Sequence, residues 1–204
     1  MAPTVIGVTA GARTWSSGGV LNLAALRDQP GLPGELVTLR QLDETFLDGA
    51  WAVLQDPETR RLTGTHGVFT REQVHDYLKG RPGAHDRADY AVVRNTDGVY
   101  LGEVVLMDLD EDNRSMDFRI ALGGHAFGRG YGTEATRLLV AFGLDVVGLH
   151  RIGLEVYDFN PRARRVYEKC GFVAEGVLRD ALHWDGEWHD AVQMSVLESD
   201  PRLG

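Results

Sequence analysis

The stretch Phe127-Gly128-Arg129-Gly130-Tyr131-Gly132-Thr133-Glu134 constrains this chain more than any other. Three glycines alternate with larger residues, so the backbone can turn tightly and lie against a ligand with no side chain in between. Ala135, Leu138, Leu139, Phe142 and Val146 follow at i, i+3, i+4, i+7 and i+11, the stripe of an amphipathic helix with one buried face. A glycine-rich turn feeding a helix N-terminus offers unpaired amides and the positive end of the dipole. That is an anion site, most naturally one for phosphate. Two standard nucleotide motifs do not fit. A dinucleotide turn has its third glycine where this chain has Thr133, and a P-loop needs Lys and then Ser or Thr where Arg129 and Gly130 stand. On these residues alone, a plain strand-to-helix connection is the alternative.

Composition narrows the class. The 204 residues suffice for one domain with a sizeable core, and 43% hydrophobic with 25% charged residues is ordinary for a soluble globular protein. No apolar run reaches membrane-spanning length. The N-terminus has neither the basic cluster nor the apolar core of a signal peptide, so a cytoplasmic protein that binds no membrane is expected. The single cysteine, Cys170, fits a reducing compartment and reads as a small buried side chain rather than a catalytic thiol. A formal charge of −9 disfavours nucleic acid and favours cationic partners such as amines or basic peptides.

Residues 1–33 lack periodicity and are rich in Gly, Ser, Thr and Pro, so they read as an extension, flexible or laid over a neighbouring surface. A strand is expected over 34–39. Asp43 then caps a helix carrying Phe46, Leu47, Ala50, Trp51 and Leu54 on one face, which Asp56-Pro57 ends. Thr70, with Glu72 and Gln73 behind it, starts a second helix that runs to Gly80. A hairpin over 90–94 and 99–107 turns at Asn95-Thr96-Asp97-Gly98, and an acidic loop over 108–113 leads to a strand over 115–122. That strand enters the glycine turn directly. A strand over 151–157 follows, then a helix begun by Asn160-Pro161 and stopped by Gly171. A strand over 172–178, the turn Asp185-Gly186 and a last strand with Val192, Met194 and Val196 complete a mixed α/β single domain.

This order, and the residues at its junctions, resembles the GCN5-related N-acetyltransferase (GNAT) superfamily, and within it the branch of ribosomal-protein-alanine N-acetyltransferases. The resemblance covers residues 34–198. It is carried by Phe127-Gly128-Arg129-Gly130-Tyr131-Gly132-Thr133-Glu134-Ala135, by Asn160 with Tyr167-Glu168-Lys169-Cys170-Gly171-Phe172, by Glu175-Gly176-Val177-Leu178-Arg179, and by His189-Asp190-Ala191-Val192-Gln193-Met194-Ser195-Val196-Leu197. It implies an α/β (α+β) fold over 34–204: a mixed, mostly antiparallel twisted sheet, splayed near the cofactor strand, with helices on both faces. It also implies acetyl-CoA as cosubstrate, with a small-molecule amine or a protein N-terminus as acceptor. A longer acyl-CoA, or a CoA-binding module without turnover, are the alternatives. Relatives often pair as homodimers.

The same resemblance assigns roles to residues. The amides of Gly128, Arg129, Gly130, Tyr131, Gly132 and Thr133 would cradle the CoA pyrophosphate. Phe127 opens the turn where the superfamily often has Gln or Arg. Ile120, Ala121 and Leu122 would meet the pantetheine arm, with an amide there stabilising the oxyanion. Asn160 would touch the same arm and Arg165 the CoA phosphates. Tyr167 is the candidate proton donor to the departing thiolate, and Asp117 the candidate general base, with Glu103 on the preceding strand. His183, His189 and Asp190 flank the closing hairpin, where acceptor is often held; they fall short of a dedicated ligand set, and no metal is expected.

Overall fold

The computed structural model describes residues 20–201. Its strands are β1 (Leu32–Pro33), β2 (Val37–Gln41), β3 (Ala88–Arg94), β4 (Tyr100–Asp110), β5 (Ser115–Leu122), β6 (Arg151–Tyr157), β7 (Val173–Trp184) and β8 (Glu187–Leu197). They form one sheet in the order β1-β2-β3-β4-β5-β6-β8-β7. Every neighbouring pair is antiparallel except β5 and β6, which are parallel. The helices are α1 (Leu23–Asp28), α2 (Leu47–Gln55), α3 (Pro57–Leu62), α4 (Arg71–Lys79), α5 (Tyr131–Ala141) and α6 (Pro161–Lys169).

Strand alternation builds two cores. On β3, Ala88, Tyr90 and Val92 join a cluster with Leu139 and Phe142, whereas Ala91 and Val93 join Leu42, Ala50, Val74 and Leu78. Thus α2 and α4 cover one face of the sheet, and α1, α5 and α6 the other. Each fully buried leucine contributes roughly 1.5–3 kcal/mol through area removed from water.

The sheet is open at its centre. β5 and β6 pair only at Ser115↔Arg151, Met116↔Ile152 and Asp117↔Gly153, yet β5 continues to Leu122 and β6 to Tyr157. Beyond Asp117 the two strands diverge and leave a wedge. On the other side of β5 the ladder with β4 runs on to Gly102↔Leu122, so β5 keeps one partner as it leaves the other. Leu101 is an extra residue in the β3–β4 register, and Gly102 beside it has φ +148°. A Cβ on Gly102 would lie 2.0 Å from the Ala121 carbonyl oxygen, so this close approach requires glycine.

Several sequence expectations are corrected. Residues 1–19 of the expected extension lie outside the described residues, but α1 and β1 fall within 20–33: Leu26 is fully buried and β1 pairs with β2. Asp56-Pro57 ends α2 and also starts α3, because Asp56 accepts from the Glu58 amide and Pro stands at the first helical position. Past Ala141 the chain makes a π-helical turn over Phe142–Val147. Its extra residue shifts the apolar stripe by one, so Val147 is fully buried while Val146 is 38% exposed. β2 begins at Val37 rather than 34, because the amides of Glu35, Leu36 and Val37 donate to the Glu134 carboxylate at 2.8, 2.8 and 2.7 Å.

Candidate active site

The glycine turn sits at one end of the wedge. Gly128 and Gly130 have φ +73° and +85°, the left-handed conformation that glycine adopts without strain. Gly130 is the N-cap of α5 and supplies no side chain to it. The first helical bond runs from the Glu134 amide to the Gly130 carbonyl at 3.0 Å, so the amides of Tyr131, Gly132 and Thr133 precede the ladder. Three other helices flanking the site, α3, α4 and α6, start differently: Asp56, Thr70 and Asn160 each cap with a side-chain oxygen. The α5 terminus is therefore built for an outside anion. A carboxylate in its first turn, Glu134, is occupied by the three β2-side amides.

From this turn a cavity of about 1200 Å³ runs through the wedge and beneath α2, α3 and α4. Its lining gathers Asp117, Ile120, Ala121, Leu122, Phe127, Gly128, Gly130, Gly132, Thr133, Asn160, Arg165 and Tyr167 from the sequence expectations. Arg129 and Tyr131 are not brought to it. The Tyr131 side chain interacts instead with Arg94 at the end of β3, leaving only its amide on the α5 terminus. His183, His189 and Asp190 also stay outside the lining. His183 packs on Trp188, His189 faces Asp158 at 3.3 Å, and Asp190 accepts from the Asp180 amide at 2.9 Å.

The two sides of the sheet give the cavity two different walls. Phe118, Ile120 and Leu122 point toward α5 and α6, where Tyr167 packs edge-on against Phe118 with centroids 6.0 Å apart. Asn160 caps α6 by accepting from the Ala163 amide at 3.1 Å and is 9% exposed. Burial raises the Tyr167 hydroxyl above its ordinary pKa, so it stays protonated through the physiological range. Alternation sends Asp117, Arg119 and Ala121 to the opposite face, with Glu103 paired to Ala121 and Glu155 on β6. Burial also raises the pKa of Asp117, helped by the nearby Asp108 carboxylate and opposed by Arg151. Cys170 is buried beside this site rather than in it. Its thiol donates to the Thr133 carbonyl at 3.6 Å, and burial pushes its pKa up to about 11.

Sequence reasoning missed two parts of the lining. Thr59 on α3 is 3% exposed and its hydroxyl lies 2.7 Å from Asp56 and 3.0 Å from the Leu122 carbonyl, at the end of β5. Asp56 also accepts from the Gly124 amide at 3.2 Å, so α3 is fastened to the loop that leads into the glycine turn. The spacing Asp56-Pro57-x-Thr59 is the signal that reveals this helix start. Arg162 stacks over Phe127 at 3.7 Å and meets Glu58 at 3.6 Å, placing a cation beside the turn. No local pattern marks that pairing.

Known proteins supply the comparison. A family model for the acetyltransferase (GNAT) domain matches residues 37–173. The spermidine N(1)-acetyltransferase of Vibrio cholerae is 31% identical over 116 residues, which is 56% of this chain and 67% of that protein. YdaF of Bacillus subtilis, named as a candidate ribosomal N-acetyltransferase, is 32% identical over 102 residues, 50% of this chain and 56% of that protein. The chain thus spans about two thirds or less of these curated relatives' length. A crystal structure of Vibrio cholerae spermidine N-acetyltransferase with CoA and spermine superposes with a TM-score of 0.76. It is 22% identical, covering 81% of this chain and 98% of that one, a likeness of fold.

Proposed function

The chain belongs to the acetyltransferase (GNAT) family, and from that premise we propose that it transfers the acetyl group of acetyl-CoA to a primary amine. The observation that carries this reading is the wedge between β5 and β6, which joins an uncapped helix N-terminus to a cavity with a carboxylate wall. The amides of Gly128 to Thr133 hold the CoA pyrophosphate, with Arg162 and Arg165 as the nearby cations. The pantetheine arm lies along Ile120, Ala121 and Leu122, whose β6-side backbone groups lack a strand partner, and reaches Asn160. An amide of this strand polarises the thioester carbonyl. The neutral amine attacks that carbon, the C–N bond forms, and the C–S bond breaks. Tyr167 gives its proton to the departing sulfur.

The acceptor approaches from the opposite face. There Glu103, Asp117 and Glu155 line the cavity, and none of the three has an ion-pair partner among the described residues. Such a wall suits a cationic amine, a polyamine or the N-terminus of a basic protein. Calorimetric titration with acetyl-CoA, with NADH and ATP as controls, followed by thiol release across both amine classes, tests the reading. Tyr167→Phe should lower kcat by about 10²-fold while leaving the acetyl-CoA affinity near that of the wild type. Absence of acetyl-CoA binding in a folded sample refutes the proposal.

Two further features belong with this reading. β7 is an edge strand bearing exposed Val173 and Val177, at 60% and 57%, with Trp188 on β8 at 62%. A second copy of the chain covers this apolar edge in a homodimer, which light scattering checks. The single buried cysteine supports a cytoplasmic setting.

A further inference from the structure

Glu103 faces the cavity from within β4. On β4 it is paired with Ala91 of β3 and Ala121 of β5, so the three side chains share the face covered by α2 and α4. Ala121 lies on the stretch of β5 that borders the wedge. Directly opposed side chains on neighbouring strands start about 4.5–5.5 Å apart at Cβ, so a glutamate here reaches an amine held against the wedge. Glu103 is half-buried and lines the cavity, together with the apolar Ala50, Val53 and Leu54 of α2 and Val74 and Leu78 of α4.

Charged and titratable groups surround it, and the arginines among them have other partners. From α4 comes Tyr77, whose ring carries the Arg81 guanidinium at 4.4 Å. From just before β3 comes Arg87 and from β3 the fully buried Asp89, paired with each other at 2.6 Å. From β4 comes Tyr100, and from β5 Arg119, which donates to the Thr65 hydroxyl at 3.3 Å. Glu103 itself forms no ion pair among the described residues.

Resting on the acetyl-transfer reading, we propose that Glu103 is the catalytic residue that takes the proton from the acceptor's ammonium group. The protonated amine enters from the α2/α4 face and gives one proton to the Glu103 carboxylate. The resulting lone pair forms the C–N bond as the C–S bond breaks. The second nitrogen proton compensates, directly or through Tyr167, for the one taken up by the leaving sulfur, and Glu103 later releases its proton to solvent. Burial, with the Asp89 carboxylate adding to it and Arg119 opposing, raises the Glu103 pKa above its ordinary value. That makes it a stronger base than an exposed glutamate. Asp117 is more exposed and sits farther along β5, across from Met107.

Glu103→Gln tests this in the full chain, with an acceptor amine whose own pKa lies far above the range scanned. Expected are a fall of about 10²-fold in kcat/KM for the amine and loss of the acidic limb of its pH profile. Calorimetric affinity for acetyl-CoA should stay within about twofold. Glu103→Asp, which keeps a carboxylate, should recover part of the rate and restore the limb; a merely structural role would restore neither. Wild-type rate and limb in E103Q overturn the proposal, as does loss of the limb in Asp117→Asn while E103Q keeps it. Should E103Q not fold, the wild-type profile and Asp117→Asn decide: a wild-type profile flat across acidic pH, or loss of the limb in Asp117→Asn, overturns it. A wild-type protein that neither binds acetyl-CoA nor releases thiol ends the acetyl-transfer reading itself, and this proposal with it.

Discussion

At the scale of single residues, the Glu134 side chain in the glycine turn serves geometry, while the turn's amides precede the helical ladder of α5. Glu134 stands within the motif that suggests phosphate binding, yet its carboxylate accepts three amides from the approach to β2. It therefore fixes the edge of the sheet against α5. Glu134→Ala removes bonds to a charged acceptor, and urea unfolding should show a loss of about 1.5–3 kcal/mol. Gly130 answers to backbone sterics instead. At φ +85°, with Leu36 Cδ1 3.2 Å from a built Cβ, Gly130→Ala should cost about 1–2 kcal/mol and weaken acetyl-CoA binding in the same titration. The motif was legible as glycines at fixed spacing. The task of Glu134 was not, because its partners are about a hundred positions away in the chain.

At the scale of elements, what matters is how neighbours are fastened. Glu175 on β7 receives Arg151 of β6 at 2.7 Å and the buried Ser195 hydroxyl of β8 at 2.7 Å. These bonds, Arg151 first, lower the Glu175 pKa from 4.5 to about 2. The folded state thus favours the ionised carboxylate. Its stabilisation is fully present above pH 4.5 and is lost as pH falls toward 2. Urea midpoints measured across that window should fall more steeply for the wild type than for Glu175→Gln; parallel curves would deny Glu175 the role. α4 was legible from Thr70 and Gln73, whose reciprocal bonds form a capping box. α3 was missed because Asp56-Pro57 signals both a stop and a start, and the choice depends on Thr59 and Gly124 being near Asp56. The stripe after the glycine turn holds to Phe142. It fails at Val146 because a π-helical turn follows packing rather than propensity.

At the scale of the whole molecule, a sheet that is continuous at one end and parted at its centre makes the site. The cavity spans both faces, so a ligand bound along β5 touches both cores. Binding to the folded state alone then raises its stability by mass action, about 2.7 kcal/mol at a hundredfold excess over Kd. For a chain of this size that is a rise in Tm of roughly 5–10 °C. Thermal melts with acetyl-CoA should show it and melts with NADH should not. An equal shift from both would place the anion site with nucleotides in general.

The amino-acid sequence by itself determined the local features: the glycine turn and its helix, the caps at Asp43, Thr70 and Asn160, the alternation of β5, and through them the resemblance to the acetyltransferase family. Each is written in residues a few positions apart, where sterics and hydrogen bonding act within one element. Only the tertiary structure decided where β5 leaves β6, that Tyr131 turns to Arg94, that Arg162 covers Phe127, and that Glu103 faces the cavity from beside Ala121. Those outcomes depend on strand register and on contacts between distant segments. A cavity is the space that all those segments leave between them, and no single stretch of sequence encodes it.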